Sequence, residues 1–167
     1  MQTAPSNHNV AENAWKESFM SQALSLAEKA ADKGEVPVGC IITDSEGNII
    51  ARGRNRSRET MDATAHAEIE AIREASKVIG NWRLDGCTIY VTLEPCPMCV
   101  GAIMNSRIRR VIYGAKDPVK GACGSVIDLF SEHFPDKAVV YGNILGKESG
   151  ELLGTFFSSL REGKSNC

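Results

Sequence analysis

Two short runs in this chain gather residue types that bind metal and move protons: His66-Ala67-Glu68 and Pro95-Cys96-Pro97-Met98-Cys99. Cys96 and Cys99 are three apart, so on a helix their Cβ atoms lie about 5–6 Å apart on one face. Two thiolates can then meet at one ion. Tetrahedral zinc takes such sulfurs at about 2.3 Å and an imidazole nitrogen at about 2.0–2.1 Å, and His66 offers that third donor. A helix N-terminus lowers a thiol pKa and favours the thiolate that binds metal. Three protein ligands leave a fourth position for water, the mark of a catalytic rather than a structural zinc. Glu68 is the candidate proton carrier, since one carboxylate can take a proton from water and return it to a departing amine. Residues two apart on a regular helix point in roughly opposite directions. His66 and Glu68 can therefore share a site only if His66 lies at an irregular helix entry.

Each run alone is ambiguous. A Cys-x-x-Cys also serves as half of a structural zinc site or as a redox pair, and a His-x-Glu by itself carries little. A structural zinc would recruit a fourth ligand, with Cys40, Cys87 and Cys123 as candidates, but none of them sits in a second Cys-x-x-Cys. Together the runs match the known His-x-Glu … Pro-Cys-x-x-Cys signature of zinc nucleobase deaminases, a class whose type members include a tRNA adenosine deaminase, so the match is a recognition of that signature.

The elements that must position these groups can be read from periodicity. Apolar residues from Asn13 to Lys33 recur at helical spacing (Trp15, Phe19, Ala23, Leu26, Ala27, Ala30), and Gly34 supplies the stop. Val38 to Thr43 and Ile49 to Gly53 predict a hairpin around Asp44-Ser45-Glu46-Gly47-Asn48. Asn55 to Asp62 is polar and irregular. A helix is expected over Ala65 to Ile79, with Ile69, Ile72, Ala75 and Val78 as its apolar positions. Thr88 to Leu93 predicts a central strand, Pro95 to Ser106 a helix and Arg110 to Ala115 a strand. A loop follows over Lys116 to Gly124, then a short helix over Val126 to Phe130, a strand over Ala138 to Tyr141 and a last helix over Glu148 to Arg161. Helices alternating with strands after an opening hairpin predict a three-layer α/β/α sandwich around a mixed five-stranded sheet. The 167 residues suit one deaminase-sized domain, with a core over about 13–163 and short polar tails.

Composition narrows the partners. Apolar content of 43% and charged content of 24% are ordinary for a soluble globular chain, and no run is long enough to span a membrane. The first dozen residues have neither a basic start nor an apolar run, so no secretory signal is expected and the cytoplasm is the default location. Six cysteines without such a signal argue against disulfides. The glycosylation letters at Asn55-Arg56-Ser57 are discarded for the same reason. Cys167 lacks the three following residues of a prenylation signal. The net charge of −2 gives no general pull toward nucleic acid, so RNA would need local patches. Arg52, Arg54, Arg56 and Arg58 alternate, and an extended segment would put them on one face. Arg107, Arg109, Arg110, Lys116 and Lys120 make a second positive stretch.

Beyond the zinc runs, the chain resembles the bacterial tRNA-specific adenosine deaminases from about residue 13 to 163. The resemblance rests on Glu35-Val36-Pro37-Val38-Gly39, Asn55, Asp62-Ala63-Thr64-Ala65-His66-Ala67-Glu68 and Thr92-Leu93-Glu94-Pro95-Cys96-Pro97-Met98-Cys99. It continues through Gly114-Ala115-Lys116-Asp117-Pro118, Gly121, Gly124-Ser125 and Phe156-Phe157-Ser158-Ser159-Leu160-Arg161, in the same order. The zinc runs are shared with cytosine and guanine deaminases; the loop after the fourth strand and the Phe-Phe end favour the tRNA enzymes. The resemblance implies a cytidine deaminase-like fold, one Zn2+ per subunit on His66, Cys96 and Cys99, and Glu68 as catalytic acid and base. It implies attack at C6 of a flipped-out adenine in the tRNA anticodon stem-loop, giving inosine at the wobble position, by a homodimer. Asn55 would then hydrogen-bond the base, an amide offering both donor and acceptor, with Val36, Pro37 and Leu93 as apolar walls. Ala67, Lys116, Asp117, Lys120, Phe156, Phe157 and Arg161 would be further substrate contacts. Two other readings stand beside this one: deamination of a free guanine or cytosine nucleoside, and a non-catalytic zinc-stabilised RNA-binding module. Glu68 speaks against the module, because a structural zinc has no use for a neighbouring carboxylate.

Overall fold

The computed structural model describes residues 7–164; Cys167 lies outside them. Its elements run α1 (Asn7–Asp32), β1 (Gly39–Thr43), β2 (Ile49–Arg54), α2 (Ser57–Thr60), α3 (Ala67–Ile79), β3 (Thr88–Leu93), α4 (Pro97–Asn105), β4 (Arg110–Ala115), β5 (Val139–Tyr141) and α5 (Gly146–Lys164). The sheet order is β2-β1-β3-β4-β5. The first two pairings are antiparallel and the last two parallel, so the sheet is mixed and five-stranded as expected.

Two apolar clusters mark the layers. On one face, Met20 and Ala23 of α1 meet Ile41, Tyr90 and Ile112, with Leu145 near the start of α5 packed beside them. On the other, Ala67, Ala71 and Ala75 of α3 and Val100 and Ile103 of α4 pack on Ile42, Ala51, Ile89, Val91 and Val111. Trp15 and Phe19 stack edge-on or tilted against Tyr90 at 6.2 and 5.0 Å between centroids.

The buried face of α3 differs from the expected one. Its inward residues are Ala67, Glu68, Ala71 and Ala75, whereas Val78 is 61% exposed and Ile69 and Ile72 are half-buried. The cause is close approach. A Cβ on Gly53 of β2 would overlap the Ala67 carbonyl and crowd the Ala71 amide. Helix and strand touch backbone to backbone, and only alanines fit between them.

Three other expectations change. Residues 57–60 form a short helix where an irregular stretch was expected. Helix α1 begins at Asn7 rather than Asn13. Val126 to Phe130 is not helical: it is a series of turns with a bridge between Cys123 and Asp128. Its backbone donors go elsewhere. The Val126 amide donates to the Gly121 carbonyl, the Leu129 amide to the Ala122 carbonyl and the Phe130 amide to the Asp128 carboxylate. No i→i−4 ladder is left to form.

Topology also decides where function can sit. The C-terminal ends of β2, β3 and β4 and the N-terminal end of β1 lie at one edge of the sheet, because Gly39 pairs with Arg54 and Leu93 with Ala115. Four separate sequence segments therefore converge there: 36–38, Asn55, 93–96 and 115–120. No described helix is long and apolar enough to cross a membrane.

Candidate active site

His66 and Cys96 each sit just outside a helix. His66 is the N-cap of α3 with φ −73° and ψ 155°, and Cys96 is the N-cap of α4 with φ −76° and ψ 170°. Both are extended residues. That is the irregular entry required for His66 and Glu68 to face one point. Cys96 therefore precedes the helix in which it was expected, with Pro97 at the first helical position, where a missing N–H costs nothing.

The donor atoms converge. His66 Nδ1 lies 3.7 Å from Cys96 Sγ and 3.5 Å from Cys99 Sγ, and the three ligand atoms fall within 4.8 Å of one another. A tetrahedron with the zinc–sulfur and zinc–nitrogen lengths given above has edges of roughly 3.6 Å, so the cluster fits zinc. No fourth His, Cys, Asp or Glu joins the group among the described residues, and Cys40, Cys87 and Cys123 are all free thiols outside it. The fourth-ligand reading loses its candidates.

Electrostatics favour a thiolate at Cys96. The Cys96 thiol is pulled down to about 4, first by its hydrogen bond with the Cys99 thiol and then by His66. Cys99, by contrast, keeps its own proton, pushed up by that hydrogen bond and by burial, and would release it on binding a metal. Cys96 in turn raises the His66 imidazole through its hydrogen bond, against the desolvation of the ring and the nearby Lys120. Glu68 is 4% exposed, and desolvation pushes its carboxyl up to about 7. A carboxyl poised there can both take and give a proton near neutrality.

The cluster opens onto a cleft of about 560 Å³. Of the residues singled out from sequence, Val36, Asn55, Ala67, Leu93, Lys116, Asp117, Lys120 and Phe157 line it along with His66, Glu68 and Cys96. Asn55 is held by its own amide donating to the Val38 carbonyl (3.0 Å) and by the Ser57 hydroxyl donating to its Oδ1 (3.3 Å). Three expected contacts are placed otherwise. Pro37 is buried and outside the cleft lining. Phe156 is 8% exposed and packs edge-on to Phe157. Arg161 is exposed on α5, where it donates to the Ser158 hydroxyl.

The arginine stretches divide as well. Strand β2 ends at Arg54, Arg56 caps α2 with ψ 17°, and Arg58 turns away to donate to the Gly34 carbonyl, so the alternating face ends at Arg54. Arg107 and Arg109 are both engaged by Asp136 and Arg110 opens β4 at the strand end away from the cleft, which leaves Lys116 and Lys120 at the cleft.

Sequence reading missed Glu94. It is 2% exposed, and its carboxylate accepts the amides of Asp117 (3.1 Å), Cys123 (3.0 Å) and Ser125 (3.0 Å) and the Ser125 hydroxyl. Burial alone would raise its pKa, but these bonds, led by that hydroxyl, outweigh burial and hold it below the usual carboxylate value. Gly121 makes room, since a Cβ there would lie 2.5 Å from the carboxylate. Glu94 thus clamps the loop that carries Lys116 to Lys120 to the strand end that leads into Cys96. The available signal was an ionisable residue between an apolar strand and Pro95, where a surface position was not required. Glu94→Gln places an amide among four donors. It is expected to cost about 3 kcal/mol through unsatisfied amides, a fall in melting temperature of roughly 6–12 °C in a chain of this size. Because the native pKa is depressed, the difference from wild type is present at neutral pH and fades as pH falls through that pKa. Equal melting curves at pH 7 would remove Glu94 from this role.

The model of the cytidine and deoxycytidylate deaminase zinc-binding region matches residues 13–115. The tRNA-specific adenosine deaminase of Bacillus subtilis is 45% identical over 149 residues, 89% of this chain and 92% of that protein. A Deinococcus radiodurans protein named tRNA(Ile)-lysidine synthase is 46% identical over 142 residues; the match spans 85% of this chain but only 24% of that longer protein. A solved structure from work on tRNA:A34 deaminases superposes with a TM-score of 0.76 at 45% identity, covering 81% of this chain and 98% of that one.

Proposed function

Because the chain belongs to the cytidine and deoxycytidylate deaminase zinc-binding family, and within it to the tRNA-specific adenosine deaminases, we propose that it converts the wobble adenosine of a tRNA anticodon loop to inosine. The observation that carries deamination is the meeting of His66 Nδ1, Cys96 Sγ and Cys99 Sγ beside the buried carboxyl of Glu68, at the floor of a cleft that also holds Asn55.

Zinc held by His66, Cys96 and Cys99 supplies Lewis acidity that makes water acidic near neutral pH. The remaining work falls to the chain's own groups. Glu68 carries one proton of the attacking water to the purine N1 and then the remaining hydroxyl proton to the exocyclic amine. The water oxygen bonds to C6, the C6–N6 bond breaks and ammonia leaves. The Asn55 side-chain amide, whose Oδ1 already accepts from Ser57, offers its N–H to the purine edge. Val36 and Leu93 flank the ring as apolar walls and exclude water. Lys116 and Lys120 face the backbone phosphates, and Phe157, 43% exposed at the cleft, offers a ring for a neighbouring base to stack on.

The enzyme acts as a homodimer in the cytoplasm. Incubation of zinc-loaded protein with unmodified arginine tRNA bearing an ACG anticodon should give inosine at the wobble position. Turnover of free guanine or cytidine with the tRNA untouched would replace this reading with a free-base or nucleoside deaminase.

A further inference from the structure

We propose that the outer edge of β2, with the facing sides of α1 and α3, forms a second anion-binding groove that holds the phosphodiester backbone of the RNA substrate outside the catalytic cleft. The proposal rests on the tRNA reading above. The groove encloses about 530 Å³ and shares no lining residue with the catalytic cleft. Six cations line it: Lys29 of α1, Arg52 and Arg54 of β2, Arg56, and Arg73 and Lys77 of α3.

Local structure puts them together. β2 is an edge strand. Its Ala51 and Gly53 face α3, so Arg52 and Arg54, at the alternate positions, project from the opposite face. They stand about 6.7 Å apart along the strand, a spacing that suits successive backbone phosphates. The acids nearby do not neutralise the groove. Glu59 is shared by Arg54 and Arg56, Glu70 by Arg56 and Arg73, and Asp62 lies 3.9 Å from Arg73, so with Glu74 four acids stand against six cations. Glu74 accepts the Arg52 backbone amide at 2.9 Å, which covers the bare strand edge. Among the described residues, the side chains of Lys29, Arg52 and Lys77 make no ion pair. In a chain of net charge −2, these cations are concentrated in one concave place.

Position selects RNA as the occupant. Arg54 and Arg56 flank Asn55, which lines the catalytic cleft. A nucleic acid strand leaving that cleft past Asn55 meets the groove next. Phosphate contacts of this kind hold and orient a substrate without reading its sequence.

The test uses the zinc-loaded full chain and full-length tRNA, with binding measured by fluorescence anisotropy across a salt series. In the K29A/R52A/K77A variant the plot of log K against log salt should become shallower by about 2–3, with affinity falling about tenfold or more at physiological salt. Zinc content and melting temperature should match wild type, because these side chains hold nothing else in place. The charge-preserving K29R/R52K/K77R variant should keep the wild-type slope. An unchanged slope and affinity in the alanine variant would overturn the groove. The tRNA reading is judged separately, by whether the wild-type chain forms inosine.

Discussion

Glu68→Gln should abolish measurable deamination while leaving zinc in place. The substitution keeps the volume and much of the hydrogen-bonding capacity of a side chain that is 4% exposed, so the fold has no reason to change. What disappears is the titratable proton. Burial holds that proton near neutrality, at about 7, which matches the carboxyl to both of its tasks. General acid–base catalysis by one positioned group contributes about 10²–10⁴-fold, and Glu68 serves both halves of the reaction. The expected loss is therefore at the upper end of that range, in kcat rather than KM, read as inosine formed per enzyme with zinc measured by atomic absorption. Undiminished turnover would remove Glu68 from the chemistry. Loss of zinc with activity would make it a ligand, contrary to the three-donor cluster.

Cys99→Ser is the second large effect. Cys99 is fully buried, its Sγ is 3.5 Å from His66 Nδ1, and its thiol also meets Cys96 and Glu68. Serine is nearly isosteric but is a poor zinc ligand, being a neutral hydroxyl where zinc prefers a thiolate. The variant should purify with little zinc and no deaminase activity. Binding to the native state alone stabilises a protein by about 2.7 kcal/mol when the free ligand stands at 100 times its Kd. Wild-type protein should therefore melt higher with zinc than after chelation, and Cys99→Ser should show no such difference. One zinc per chain in the purified variant would contradict the assigned ligand set.

The two substitutions separate roles that the geometry joins. One removes the proton carrier and spares the metal; the other removes the metal and leaves the carboxyl. That both sit within two helix entries explains why the Glu94 clamp matters. Glu94 directly precedes Pro95-Cys96 and binds the amides of the loop opposite, so movement of that loop would be felt at the ligands.

Recognition of the two-part deaminase signature picked out His66, Cys96, Cys99 and Glu68; residue types and spacing alone left structural-zinc and redox readings open. Periodicity was enough for β3, β4 and the mixed five-stranded sheet, since strong local patterns agreed with the final packing. Tertiary structure decided the rest. Whether His66 and Glu68 could face one point depended on His66 being an extended N-cap, which spacing does not encode. The inward face of α3 became its alanines because Gly53 brings β2 against the helix backbone, and that contact crosses elements distant in sequence. Val126 to Phe130 had a helix-like pattern, but its backbone donors were captured by Gly121, Ala122 and Asp128. Glu94 was invisible for the same reason: its role is set by amides 23 to 31 residues away, and only the folded chain brings donors and acceptor into register.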